Sequence, residues 1–201
     1  MRFKIVIIII VLTISQVIFD SCCKINTTFT VKGVDVANLD NSGEIPTEVI
    51  DSIVSGVTKN AYGIRVYLAS SINSSSFVDN TIKNAQFIGK SYALGCKQNY
   101  SLSNRIVSFK IYTVNDFDQY HKAGSDITEY FNGLNKEYGP YISIDQKINE
   151  INSLLTDLPD YFDIFLMNAP TEGDVHQFRI YMEFDDDYVV DDLKTKKIIL
   201  F

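Results

Sequence analysis

The chain has 201 residues, with 18 basic against 25 acidic side chains and a formal charge of −7. No basic cluster is present to neutralise phosphates, which excludes a nucleic-acid partner on electrostatic grounds. The length suits one domain able to bury roughly 70% of the surface its unfolded chain exposes.

Arg2 and Lys4 precede the unbroken apolar run of residues 5–12, and Thr13, Ser15, Gln16 and Asp20 break up the stretch behind it. A spanning helix needs about 20 mainly apolar residues, so residues 1–21 read as an export signal. Ser21 before Cys22 resembles a bacterial lipobox, although Phe19 and Asp20 stand where leucine and a small neutral residue are usual. The expectation is an acylated Cys22, a membrane tether over residues 22–27 and one domain over 28–201. Plain cleavage near Ser21, leaving Cys22 as a thiol, is the alternative. With Cys22 spent on lipid, Cys23 and Cys96 remain as an even pair in an oxidising compartment, where a disulfide competes with two separate thiols.

Residues 28–36 alternate as a strand, with Phe29 and Val31 on one face and Val34 and Val36 on the other. The phase changes at Gly33, which predicts a β-bulge. Asn38, Asp40, Ser42, Gly43 and Ile45 then match the spacing of an EF-hand calcium loop, making Asn38, Asp40 and Ser42 candidate oxygen ligands. Val49 replaces the closing glutamate of such a loop, and the preceding segment reads as strand and not helix. A plain acidic turn is the competing reading.

Residues 46–60 are ambiguous, because Val49, Ile53 and Val57 recur at helical spacing among β-branched residues. Within them, Asp51-Ser52-Ile53 resembles a short O-glycosylation motif of Bacteroidetes and makes Ser52 a candidate acceptor. Residues 62–69 form a half-buried strand, Ile64, Val66 and Leu68 facing opposite to Arg65 and Tyr67. Residues 70–76 are serine-rich and read as a loop, and periodicity stays weak through residue 99 apart from a short strand near 92–96. Residues 105–114 alternate again, with Val107, Phe109 and Ile111 set against Ser108, Lys110 and Tyr112.

Asp126 with Glu129 predicts a capping box for a helix over 127–132 that Gly133 stops. Ser143 with Gln146 repeats the signal ahead of an apolar face of Ile144, Ile148, Ile151 and Leu155, ended by Pro159. Residues 162–167 read as an interior strand. Residues 176–184 alternate, Phe178, Ile180, Met182 and Phe184 facing one way, before a polar turn of Asp185, Asp186 and Asp187; residues 188–190 and 198–201 supply the returning strand. Short strands, long connections and few helices predict a mainly β fold, an immunoglobulin-like β-sandwich with one or two short helices inserted between strands.

Cys22-Cys23, the strand Ala61-Tyr62-Gly63-Ile64-Arg65, Tyr92-Ala93-Leu94-Gly95-Cys96, Asn115-Asp116-Phe117, the stretch from Ala123 to Phe131 and His176-Gln177-Phe178 together resemble a family of single-domain Bacteroidetes lipoproteins classified as a domain of unknown function. The resemblance covers essentially the whole mature chain. It implies location, a sandwich and some support for a Cys23 to Cys96 bond, and it carries no activity.

The residues offer little chemistry. His121 lies beside a loop and His176 has the parity of Phe178, which makes it a core-edge side chain. No zinc spacing, nucleophile elbow or phosphate-cradling loop occurs, so no cofactor and no enzymatic activity are expected. Asp185, Asp186, Asp187, Asp191 and Asp192 read as a solvated hairpin turn in preference to a cation site. Twelve tyrosines without a tryptophan leave room for a glycan platform at Tyr67, Tyr112 and Tyr181, which face outward on predicted strands. The expected role is a non-enzymatic binding or accessory module of the outer membrane, held by its lipid anchor and serving an envelope protein partner. A glycan-binding nutrient-capture lipoprotein is the alternative, and an envelope hydrolase would need convergent buried carboxylates.

Overall fold

A computed structural model describes residues 24–50, 56–75, 97–135, 139–153 and 159–201. In chain order the strands are β1 (Lys24–Asp40), β2 (Thr47–Glu48), β3 (Tyr62–Ser75), β4 (Lys97–Leu102), β5 (Ile106–Thr113), β6 (Phe131–Leu134) and β7 (Tyr141–Ser143). Helix α1 (Ile144–Asn152) comes next, then β8 (Tyr161–Leu166), β9 (Val175–His176), β10 (Phe178–Phe184), β11 (Val189–Lys194) and β12 (Ile198–Ile199).

The frame is the antiparallel pair β1 and β3, registered from Asn26 opposite Ser75 to Asp40 opposite Tyr62. Val31 faces Ser70 and Gly33 faces Ala69, so Lys32 is the extra residue of the bulge that the phase change at Gly33 predicts. The serine-rich segment expected as a loop instead continues β3 to Ser75. Backbone pairing with β1 overrides the weak strand preference of serine, as tertiary context generally does.

One sheet runs β2-β1-β3-β8-β6-β7, with β4 added in parallel to the first half of β1; a second runs β11-β10-β5, and β9 pairs with β12 separately. The core lies between the first two. Ile64, Val66, Phe162 and Ile164 meet Ile111, Phe178, Ile180 and Met182, all at most 4% exposed. Ring contacts cross the gap, Tyr62 stacking on Phe178 at 5.3 Å and Phe109 meeting Phe162 at 5.8 Å. The fold is mainly β and sandwich-like, but the parallel β4 and the order of the first sheet are not the immunoglobulin arrangement.

The helix after Ser143 forms over Ile144–Asn152, with Leu155 of the expected apolar face outside the described residues. Ser143 Oγ accepts from the Gln146 amide and the Gln146 side chain accepts from the Ser143 amide, while Ile144, Ile148 and Ile151 are buried. The helix expected over 127–132 does not form. Asp126 Oδ1 does accept from the Thr128 amide at 3.0 Å, but a single 3-10 turn over Thr128–Tyr130 ends at once in β6. Gly133, expected as a stop, sits inside β6 opposite Ile164 and Ile142.

Candidate functional site

Strand β5 is the edge of the second sheet, and its free side is where the fold leaves an opening. In an antiparallel ladder alternate residues turn their main-chain groups toward and away from the neighbour. The Phe178 amide bonds Thr195 Oγ1 and its carbonyl accepts from the Thr195 amide, so Phe178 and, by alternation, Ile180 and Met182 turn away from β5. Their partners on β5 are Thr113, Ile111 and Phe109, which therefore point outward.

Most of those outward groups are covered by short pieces of chain. Thr113 exchanges bonds with Gly124 and Ser125, the Ile111 carbonyl accepts from Ile127, and the Ile111 amide donates to Thr128 Oγ1 at 2.9 Å. At the other end the Asn152 carboxamide imitates a strand, donating to the Ile106 carbonyl at 2.8 Å and accepting from its amide at 3.0 Å. Phe109 is left between these covers with no outward partner among the described residues.

Beside Phe109 runs a groove of about 410 Å³ between residues 106–110 and Asp145, Ile148 and Asn149 of α1. A second hollow of about 410 Å³ shares Asp145 and is lined by Asp126, Thr128, Glu129 and Ser143. Lys110 pairs with Asp126 at 3.5 Å. Glu129 and Asp145 have no ion-pair partner among the described residues, which leaves the combined surface acidic. A second bulge shapes the rim. Glu183 faces Ser108 and Phe184 faces Ile106, so Val107 is the extra residue. Val107, expected inward with Phe109, is therefore 57% exposed, and Ile106 is buried in its place.

The sequence candidates fall elsewhere. Asn38 points inward, its amide donating to the Lys196 carbonyl and accepting from the Tyr62 hydroxyl at 2.8 Å. Its side chain is a buried tie between sheet and C-terminal segment, while Asp40 accepts from the Ser42 amide as in an acidic turn. Tyr67 lies on the outer face of the first sheet and Tyr112 and Tyr181 on that of the second, so the three share no surface. Tyr67 meets Tyr161 edge-on and bonds Glu48. Arg65 lies over the Tyr161 ring at 3.9 Å while paired in two bonds of 2.8 Å with Asp163. Arg179 covers one face of Tyr112 at 4.3 Å. Cys22, Cys23, Ser52 and Cys96 lie outside the described residues.

The acidic turn is distributed. Asp185 accepts from the Arg105 amide, Asp186 from Asn104, and Asp191 and Asp192 pair with Arg179 and Lys194. His176 is fully buried, its ring packed on Phe117 and Phe178, with Nε2 at 3.3 Å from the Gly173 carbonyl and Nδ1 without a partner among the described residues. Burial pulls its pKa below the ordinary 6.5. His121 Nδ1 lies 2.9 Å from Asp118 and 3.3 Å from the Tyr130 hydroxyl. Burial opposes ionisation of Asp118, but hydrogen bonds from the His121 ring and from the His121 and Tyr120 amides prevail and hold it below the usual carboxylate value.

Sequence reading misses the open edge because Phe109, Glu129 and Asp145 carry no local signal of it; only Asp145, in the first turn of a capped helix, lies near one. The class that fold and site define is a sandwich-like β domain with an acidic groove at one strand edge. Residues 31–195 match DUF5034, a domain of unknown function, and the chain belongs to that family. No curated protein and no solved structure matches it.

Proposed function

We propose that this chain is an outer-membrane lipoprotein of the Bacteroidetes kind, anchored through acylated Cys22, whose sandwich is a non-enzymatic binding module for an envelope protein partner. The observation that carries the binding reading is the gap at Phe109, where an otherwise covered strand edge opens onto a groove. Open edges are where extended chains add to a sheet. A glycan platform has less support, because Tyr67 lies on a different sheet from Tyr112 and Tyr181 and the Arg179 guanidinium covers one face of Tyr112.

Strand β1 begins at Lys24, inside the stretch expected as a tether. An extended connection from Cys22 would span about 7 Å, so the sandwich would stand directly on the membrane. The parallel register starts with Lys24 opposite Lys97, the residues immediately after Cys23 and Cys96. Neighbouring strands lie about 4.8 Å apart, within the roughly 4.4–6.8 Å Cα separation of bridged cysteines. This supports a Cys23 to Cys96 disulfide, contributing on the order of 3–4 kcal/mol. Thiol counting on denatured, unreduced protein should find neither cysteine free, and mass spectrometry of the N-terminus should find acylated Cys22.

The partner reading is tested by placing a photo-crosslinking residue at Val107 and, as an off-groove control, at Tyr120, which is 80% exposed. A discrete adduct in intact envelopes from Val107 and not Tyr120 is expected. The same adducts from both sites, or none from Val107, would count against the groove.

A further inference from the structure

We propose that the groove beside β5 takes a basic extended segment of its protein partner, an inference that rests on the binding reading above. Two features of the same surface specify that chemistry independently. The first is the Phe109 main chain, which offers one outward N–H and one C=O, the pair that a single residue of an added antiparallel strand exchanges. The covers on either side show how short such pairings can be. One amide side chain, Asn152, suffices at Ile106, and the isolated bridge between Tyr112 and Asp126 suffices further along.

The second feature is charge. Of the acidic and basic side chains around the two hollows that share Asp145, Lys110 is matched by Asp126, and Glu129 and Asp145 are unmatched among the described residues. A partner residue seated on Phe109 carries its neighbours along the groove toward Asp145, which also lines the second hollow with Glu129. Lysine or arginine there gains charge-assisted hydrogen bonds, whereas an acidic segment meets like charge. The chain's overall charge of −7 favours the same partner during encounter.

The test uses the full ¹⁵N-labelled chain in a zwitterionic detergent and two probes, the capped pentapeptide Thr-Arg-Thr-Arg-Thr and its counterpart with Glu in place of Arg. Only the basic probe should produce saturable amide shifts, centred on Phe109, Lys110, Asp145 and Ile148. The double variant Glu129→Gln with Asp145→Asn should weaken it by about threefold to tenfold, the effect of two exposed charge contacts, and added salt should do likewise. Equal response to both probes, shifts centred elsewhere, or no shift would overturn the proposal. If Val107 crosslinks a partner while the basic probe leaves the groove unmoved, the binding reading survives and the basic chemistry falls.

Discussion

Replacing Asn104 by leucine tests how the bulged frame strand is held. Asn104 is 1% exposed, and its carboxamide accepts from the Val31 amide at 2.8 Å and donates to the Val31 carbonyl at 3.0 Å. It takes over where β4 stops. Phe29 is the last β1 residue in register with β4, facing Leu102, and the Asn104 side chain then continues the ladder beside the bulge. Leucine has nearly the same shape, so Asn104→Leu leaves no cavity and its effect isolates these two bonds together with the one Asn104 donates to the exposed Asp186. Each buried main-chain group left without a partner costs about 1–3 kcal/mol. The nearby Thr30 to Ser103 bond is exposed, so water can reach part of this edge, and a loss of about 2–4 kcal/mol is expected. Urea unfolding should show a lower midpoint with an unchanged slope, and hydrogen exchange should show the Val31 amide losing protection. A change below about 0.5 kcal/mol, the range of a neutral surface substitution, with Val31 still protected, would refute the reasoning.

Three further contacts set measurable outcomes. His176 is buried neutral with its pKa below 6.5; the unfolded chain takes up the proton first, so stability should be full above about pH 6.5 and fall as pH drops toward the native value. His176→Phe, which fits between Phe117 and Phe178, should flatten that part of the pH profile in thermal melts; an unchanged slope would count against it. Gly63→Ala would bring its Cβ to 2.8 Å from the Ile164 carbonyl and 2.9 Å from the Phe165 ring, and should cost about 1–3 kcal/mol by overpacking in chemical denaturation. Ser143→Ala removes one half of the capping box and should lower stability by about 1 kcal/mol, while the neighbouring Asp145→Asn leaves the box intact.

Where a feature depends on residues close in sequence, pattern and structure agree. The bulge at Gly33, the capping box of Ser143 with Gln146, and the inward row Phe178, Ile180, Met182 and Phe184 are all present. The disagreements share a different cause. Asp126 with Glu129 carries the same cap pattern, but Thr128 Oγ1 is drawn to the Ile111 amide and Phe131 pairs with Leu166, so the turn opens into a strand. Val107 has the parity of Phe109 in sequence, and only the bulge against β10 turns it outward.

The sequence by itself determined the mainly β class, the faces of most strands and the helix after Ser143, because side-chain alternation and caps are properties of a local stretch of backbone. Tertiary structure alone decided the sheet order, the parallel seat of β4 on β1 and the Phe109 main chain left uncovered among the described residues. Those depend on which distant strand, turn or amide arrives to pair. Among the described residues, an edge is open only because no other part of the fold has come to close it.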